Sequence, residues 1–184
     1  MPCLRKMSHV PRFLLLLIAT LSFHCTPAIR VHSARSAIAS FDRYRTFAFD
    51  TAESAPNDYA SSERSAEVCK RVREQATKLL EDKGYVQADG GKSDLVLRVA
   101  AGRRERAIRR PSHGVPGWLV EDEEDDFVEG AFVVDAFDTT TEELVWHGSA
   151  RTAVDANRID EERLQRAVME VLASFPSRRS DAPR

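Results

Sequence analysis

Few side chains in this chain of 184 residues are placed to do chemistry, and the first is Cys25. It follows the apolar run Phe13-Leu14-Leu15-Leu16-Leu17-Ile18-Ala19-Thr20-Leu21-Ser22-Phe23, which Arg5, Lys6 and Arg12 precede. A cysteine in that place is the one bacteria acylate through its sulfur before cleaving ahead of it. The second candidate is His147, a strand histidine that could pair with Asp135 or Asp138 as an acid/base couple. The third is the acidic block Glu121 to Asp126, whose carboxylates suit a hard divalent cation. The fourth is the cluster Arg103, Arg104, Arg106, Arg109 and Arg110 with Trp118 downstream, a surface able to grip acidic headgroups or a protein partner.

Each candidate has a plainer reading beside it. A strand histidine can simply face solvent. The acidic block lacks the alternating ligands and central glycine of a calcium loop, so it reads first as a solvated charge run. The arginines and acids on either side of Pro111 to Trp118 can attract each other across an irregular connection. Cys69 falls on an apolar helix stripe and reads as a small buried hydrophobe. No H-E-x-x-H, G-x-S-x-G, phosphate-loop or dinucleotide-binding pattern occurs. The expectation is therefore a protein that binds without catalysis and without a cofactor, with metal sites unassigned. A periplasmic hydrolase using His147 and an ion-binding surface at residues 121–126 are the rival classes.

The amino-terminal segment reads as an export signal. Roughly 11 apolar positions are too few to span a bilayer core, which takes about 20 in a helix. Cleavage before Cys25 gives a lipid-anchored protein, and cleavage after Ala28, with Thr26 and Ala28 as the small residues, gives a soluble one. Loss of the first 24 residues removes three of 27 Lys and Arg and no acid, leaving a net charge of −5. An acidic product makes nucleic acid an unsuitable partner. With Cys3 removed and Cys25 reserved for lipid, Cys69 has no disulfide mate.

The elements that must position these groups follow from periodicity. Residues 26–40 read as a tether with a first strand near Ile29 to His32. Tyr44 to Phe49 alternates as a strand, and Ser62 caps a helix carrying Cys69, Val72, Ala76, Leu79 and Leu80 until Lys83-Gly84 stops it. Asp94 to Val99, Phe127 to Phe137 and Leu144 to Ala150 read as strands, the last two joined through Asp138 to Glu143. A second helix begins between Asn157 and Asp160 and ends at Pro176, with 177–184 as a flexible tail. The expected order is β-α-β-β-β-α over residues 41–176. That implies an α+β two-layer sandwich with a four-stranded, mostly antiparallel sheet and both helices on one face.

Three stretches, Phe41-Asp42-Arg43-Tyr44-Arg45-Thr46-Phe47-Ala48-Phe49, Lys83-Gly84-Tyr85 with Ser93 to Leu97, and Asp138 to Gly148, stand in an order that resembles one family. It is the bacterial lipoprotein family of domain of unknown function 4136, and Phe175-Pro176 resembles its closing helix end. The resemblance covers roughly residues 30 to 176. It implies an envelope lipoprotein with a small α/β fold and no known activity, and Thr26 rather than an Asp after Cys25 favours the periplasmic face of the outer membrane. His24, where the family's lipid signal prefers a small residue, and the arginine-then-acid connection depart from its pattern.

Overall fold

A computed structural model describes residues 28–50, 55–88, 92–110, 123–155 and 157–178, and for 108–110 and 123–125 the backbone. Six strands form one sheet: β1 (Arg30–Arg35), β2 (Thr46–Phe49), β3 (Val86–Gln87), β4 (Leu95–Arg110), β5 (Glu123–Asp138) and β6 (Leu144–Val154). Two helices accompany it, α1 (Glu63–Asp82) and α2 (Glu161–Ala173). The spatial order is β1-β6-β5-β4-β2-β3. β1, β6, β5 and β4 pair antiparallel, whereas β2 runs parallel to both β4 and β3.

This corrects the expected sheet, which has six strands and mixed pairing rather than four mostly antiparallel ones. β2 leads into α1, and the helix carries the chain back to the starting end, so the next two strands, β3 and β4, lie parallel to β2. β3 has only two residues, too few to show a period. β1 arises where a first strand was expected near Ile29 to His32 within the tether but runs on to Arg35, and all six of its residues are exposed, so no apolar face marks its length.

The helix ends obey local rules. Ser62 and Ser65 form a reciprocal capping box at the start of α1. At its end Gly84 takes φ +90°, with the Tyr85 N–H donating to the Leu80 carbonyl and the Gly84 N–H to that of Glu81, the paired bonds of a glycine-terminated helix. The Asp160 carboxylate accepts from the Arg163 N–H at 3.0 Å to open α2.

Both helices cover one face, α1 over β4 and α2 over β6 and β1. Alternation supplies that face with Leu95, Leu97 and Val99 from β4, Phe132, Val134 and Ala136 from β5, and Trp146 and Ala150 from β6, all buried. Cys69, Val72, Ala76 and Leu80 of α1 and Val168, Val171 and Leu172 of α2 meet them. Phe175 plugs the far end of the core, edge-on to Trp146 at 5.0 Å between ring centres and edge-on to Phe41 and Tyr85. Leu79, expected on the buried stripe, packs only partly against this core, and Leu80 is the deep residue.

Candidate functional site

The face of the sheet that the helices leave uncovered carries the polar side chains of the central strands. Asp135 and His147 are directly opposite in the β5–β6 register, and the imidazole Nδ1 lies 2.6 Å from the carboxylate. Both are about 70% buried, with side-chain exposures of 28% and 29%. The His32 ring from β1 lies 5.8 Å from that of His147, and His32 itself is opposite Ser149. On the other side of Asp135, Arg98 pairs with Asp50 at 3.0 Å and covers the Phe137 ring. The Asp135–His147 couple has the geometry to hold and pass a proton. Among the described residues, no hydroxyl or thiol hydrogen-bonds His147, and no three His, Cys, Asp or Glu side chains are placed to hold a metal ion.

Asp138, the other carboxylate within sequence reach of His147, has a structural task. It is buried at the β5–β6 turn, accepting from the Tyr44 hydroxyl at 2.8 Å and the Thr140 and Thr141 N–H groups at 2.7 and 3.2 Å, with Arg43 paired to the same carboxylate. Burial pushes its carboxyl up, but these donors more than offset it and hold it below the ordinary value.

A second polar cluster sits farther along the same face. The backbone of Ala60 pairs with that of Arg103, bringing Tyr59 over the sheet at Gly102, where an added Cβ would stand 2.7 Å from the Tyr59 Cβ. The Tyr59 hydroxyl donates to Glu129, Arg104 donates twice to the same carboxylate oxygen at 2.7 and 2.9 Å, and the guanidinium stacks on the Tyr59 ring at 4.4 Å. Burial raises the Glu129 carboxyl, yet Tyr59 and Arg104 outweigh it and hold it low.

Beyond this cluster β4 and β5 continue as a two-stranded arm. The last β5–β6 pair is Val128 with Val154, while β4 and β5 stay paired out to Arg110 and Glu123. The register sets Arg109 opposite Glu124 and Arg110 opposite Glu123, so the basic and acidic blocks lie along facing strands. Much of the expected irregular connection is therefore regular ribbon. Apolar alternation could not reveal it, because residues 103–110 and 123–126 are mostly charged.

Of the anticipated site residues, Cys25 and Trp118 lie outside the described residues. Arg103 and Arg104 sit at the base of the arm, Arg104 within the Tyr59–Glu129 cluster. Arg109 and Arg110 lie on the β4 part of the arm, and Glu123 to Asp126 of the acidic block on the β5 part. Tyr59 and Glu129 went unremarked in the sequence, where His32 stood as an isolated histidine. The first two are far apart along the chain, and the Ala60 bridge to β4 brings them within hydrogen-bonding reach.

The family model for a domain of unknown function, DUF4136, matches residues 31–177. Among solved structures, a variant of the PelC dodecamer from Paraburkholderia phytofirmans is 13% identical with a TM-score of 0.51, over 83% of this chain and 100% of that one. A PDZ domain protein from Parabacteroides distasonis is 13% identical with a TM-score of 0.54, over 84% of this chain and 37% of the other. A DUF4136 family protein from Bacteroides thetaiotaomicron is 16% identical with a TM-score of 0.46, over 79% and 94% of the two chains. No curated protein matches the chain significantly. At these identities the likenesses with TM-scores of 0.51 and 0.54 show a shared fold alone, and the match over residues 31–177 places the chain in the family of domain of unknown function 4136.

Proposed function

We propose that this protein is an exported cell-envelope lipoprotein, held to the periplasmic face of the outer membrane through Cys25, that works as a non-catalytic interaction domain. The β4–β5 arm carries the reading. The helix-facing core ends at Ala101 and Phe132, so the ribbon beyond adds nothing to it. Two-stranded ribbons are marginal in water, and stability gives no reason to build one this long. A projecting ribbon with charge on both strands suits recognition of an envelope protein. The similar fold of the dodecameric PelC protein adds support for partnership with other chains.

The test is affinity purification from detergent-solubilised envelope with the wild-type chain and with residues 105–128 replaced by Asn-Gly between Arg104 and Glu129. The arm-deleted protein should fold and lose its partner. Equal capture by both forms would move the partner surface to the open sheet face. In parallel, Cys25→Ala should abolish fatty-acid labelling and detergent partitioning.

The Asp135–His147 contact favours a second reading, a periplasmic hydrolase with His147 as general base. Under it, His147→Ala would lower a hydrolytic rate by about 100-fold or more and leave partner capture untouched.

A further inference from the structure

A cavity of about 310 Å³ opens on the helix side of the sheet, where the amino-terminal ends of α1 and α2 meet the base of the arm. Its size sits at the low end of the roughly 300–1,000 Å³ usual for small-molecule sites. Small residues create it: Ala101, Gly130, Ala150 and Ala167 stand where larger side chains would close the layer, and Val68 and Leu164 form its sides. Gly130 has no room to grow, since a Cβ there would approach Val154 Cγ1 to 2.9 Å.

The rim is cationic. Arg64, Arg103, Arg158 and Arg163 line the cavity against two carboxylates, Asp155 and Asp160. Each carboxylate is engaged by its own backbone, Asp155 accepting from the Asn157 N–H at 2.7 Å and Asp160 from the Arg163 N–H. Arg163 donates through one terminal nitrogen to the Ala153 carbonyl at 3.1 Å, while its buried Nε makes no hydrogen bond and lies 3.7 Å from the Asp160 carboxylate. Both helix dipoles add positive potential at this end.

We infer that this cavity binds an anionic phospholipid, with an acyl chain between Val68 and Leu164 and the phosphate against the arginines. An apolar interior beneath a cationic rim matches that amphiphile and neither a sugar nor a neutral apolar molecule. The path of the chain agrees. β1 starts at Arg30 opposite Arg151, in the strand row that includes Ala131 and Gly102 beside the cavity. Cys25 is five residues upstream, within roughly 17 Å of extended chain. This orientation toward the bilayer rests on the anchor reading of Cys25, whereas the cavity's chemistry does not.

Every core residue lies between Ile29 and Phe175, so the chain from residue 26 contains the whole fold and tests the cavity without the anchor. Calorimetric titration with dioctanoyl phosphatidylglycerol below its micelle concentration should show one saturable site. Dioctanoyl phosphatidylcholine should bind at least tenfold more weakly, and inorganic phosphate not measurably. Val68→Phe and Leu164→Trp, each checked for an unchanged unfolding temperature, should cut phosphatidylglycerol affinity at least tenfold. Arg64→Gln with Arg158→Gln should erase the preference between the two lipids. Absence of saturable phosphatidylglycerol binding, equal affinity for both lipids, or full affinity in a folded cavity-filling variant would overturn the inference. Absence of fatty-acid labelling on the wild-type full chain, with phosphatidylglycerol binding intact, would sink the anchor alone.

Discussion

The indole of Trp146 lies directly over Gly148, two residues along the same strand. A Cβ at position 148 would collide with the indole and come within 2.6 Å of Val171 Cγ1 on α2. The missing side chain thus lets Trp146 lie flat between sheet and helix and reach Phe175. Gly148→Ala should cost about 1–3 kcal/mol, the usual penalty of overpacking, read as a lower urea midpoint at unchanged slope. An unchanged midpoint would mean that the indole sits elsewhere.

The buried side of each helix should be intolerant of charge. Leu80→Asp and Leu172→Asp place a carboxylate among residues about 1% exposed and should unfold the domain, seen as loss of the cooperative thermal transition. Lys78→Asp on the exposed side of α1 should change stability by less than about 0.5 kcal/mol.

Acid should destabilise the fold through three carboxylates. For Asp94 burial raises the pKa, but N–H groups of Arg45 and Thr46 and the Thr46 hydroxyl lower it further, and Glu129 and Asp138 are likewise held low. Because the folded values lie below the ordinary 3.8 and 4.5, the unfolded chain takes up protons first as pH falls. Their stabilisation is complete above those ordinary values and drains away as the pH drops through the folded ones. Urea midpoints from pH 7 to pH 3 should fall mainly below about pH 4.5. Asp138→Asn should lower the unfolding free energy at pH 7 by about 1.5–3 kcal/mol, read as a lower urea midpoint, and flatten part of the acid limb.

Tyr59 ties the segment before α1 to the sheet through Glu129. Tyr59→Phe should leave the fold intact yet speed amide exchange at Ala60 and Arg103, whose N–H groups hydrogen-bond across that bridge. Unchanged exchange would show that the backbone bridge alone holds the segment.

Helices and central strands were legible because burial writes itself into spacing. Ser62, Gly84 and the Val72-Ala76-Leu80 stripe fix α1, and Leu95, Leu97 and Val99 alternate as a strand should. The missed elements lack that imprint. β3 is too short, and the outer halves of β4 and β5 are charged sequence without apolar alternation, whereas β1, though exposed along its length, was expected in part near Ile29 to His32. The candidate couple was half visible: His147 stood out, but choosing Asp135 over Asp138 needed the β5–β6 register. Nothing in the local sequence tells Tyr59 that Glu129 is its neighbour.

The strand that is made first pairs with the strand that is made last. Arg30 meets Arg151, and β1 has no other neighbour in the sheet. Closing that ladder means bringing together points separated by nearly the whole domain, and contacts of such long range make folding slow. A growing chain therefore stays open until β6 exists, since no shorter piece can complete the sheet. Under the export proposed above, this order of assembly keeps β1 unpaired for the longest time.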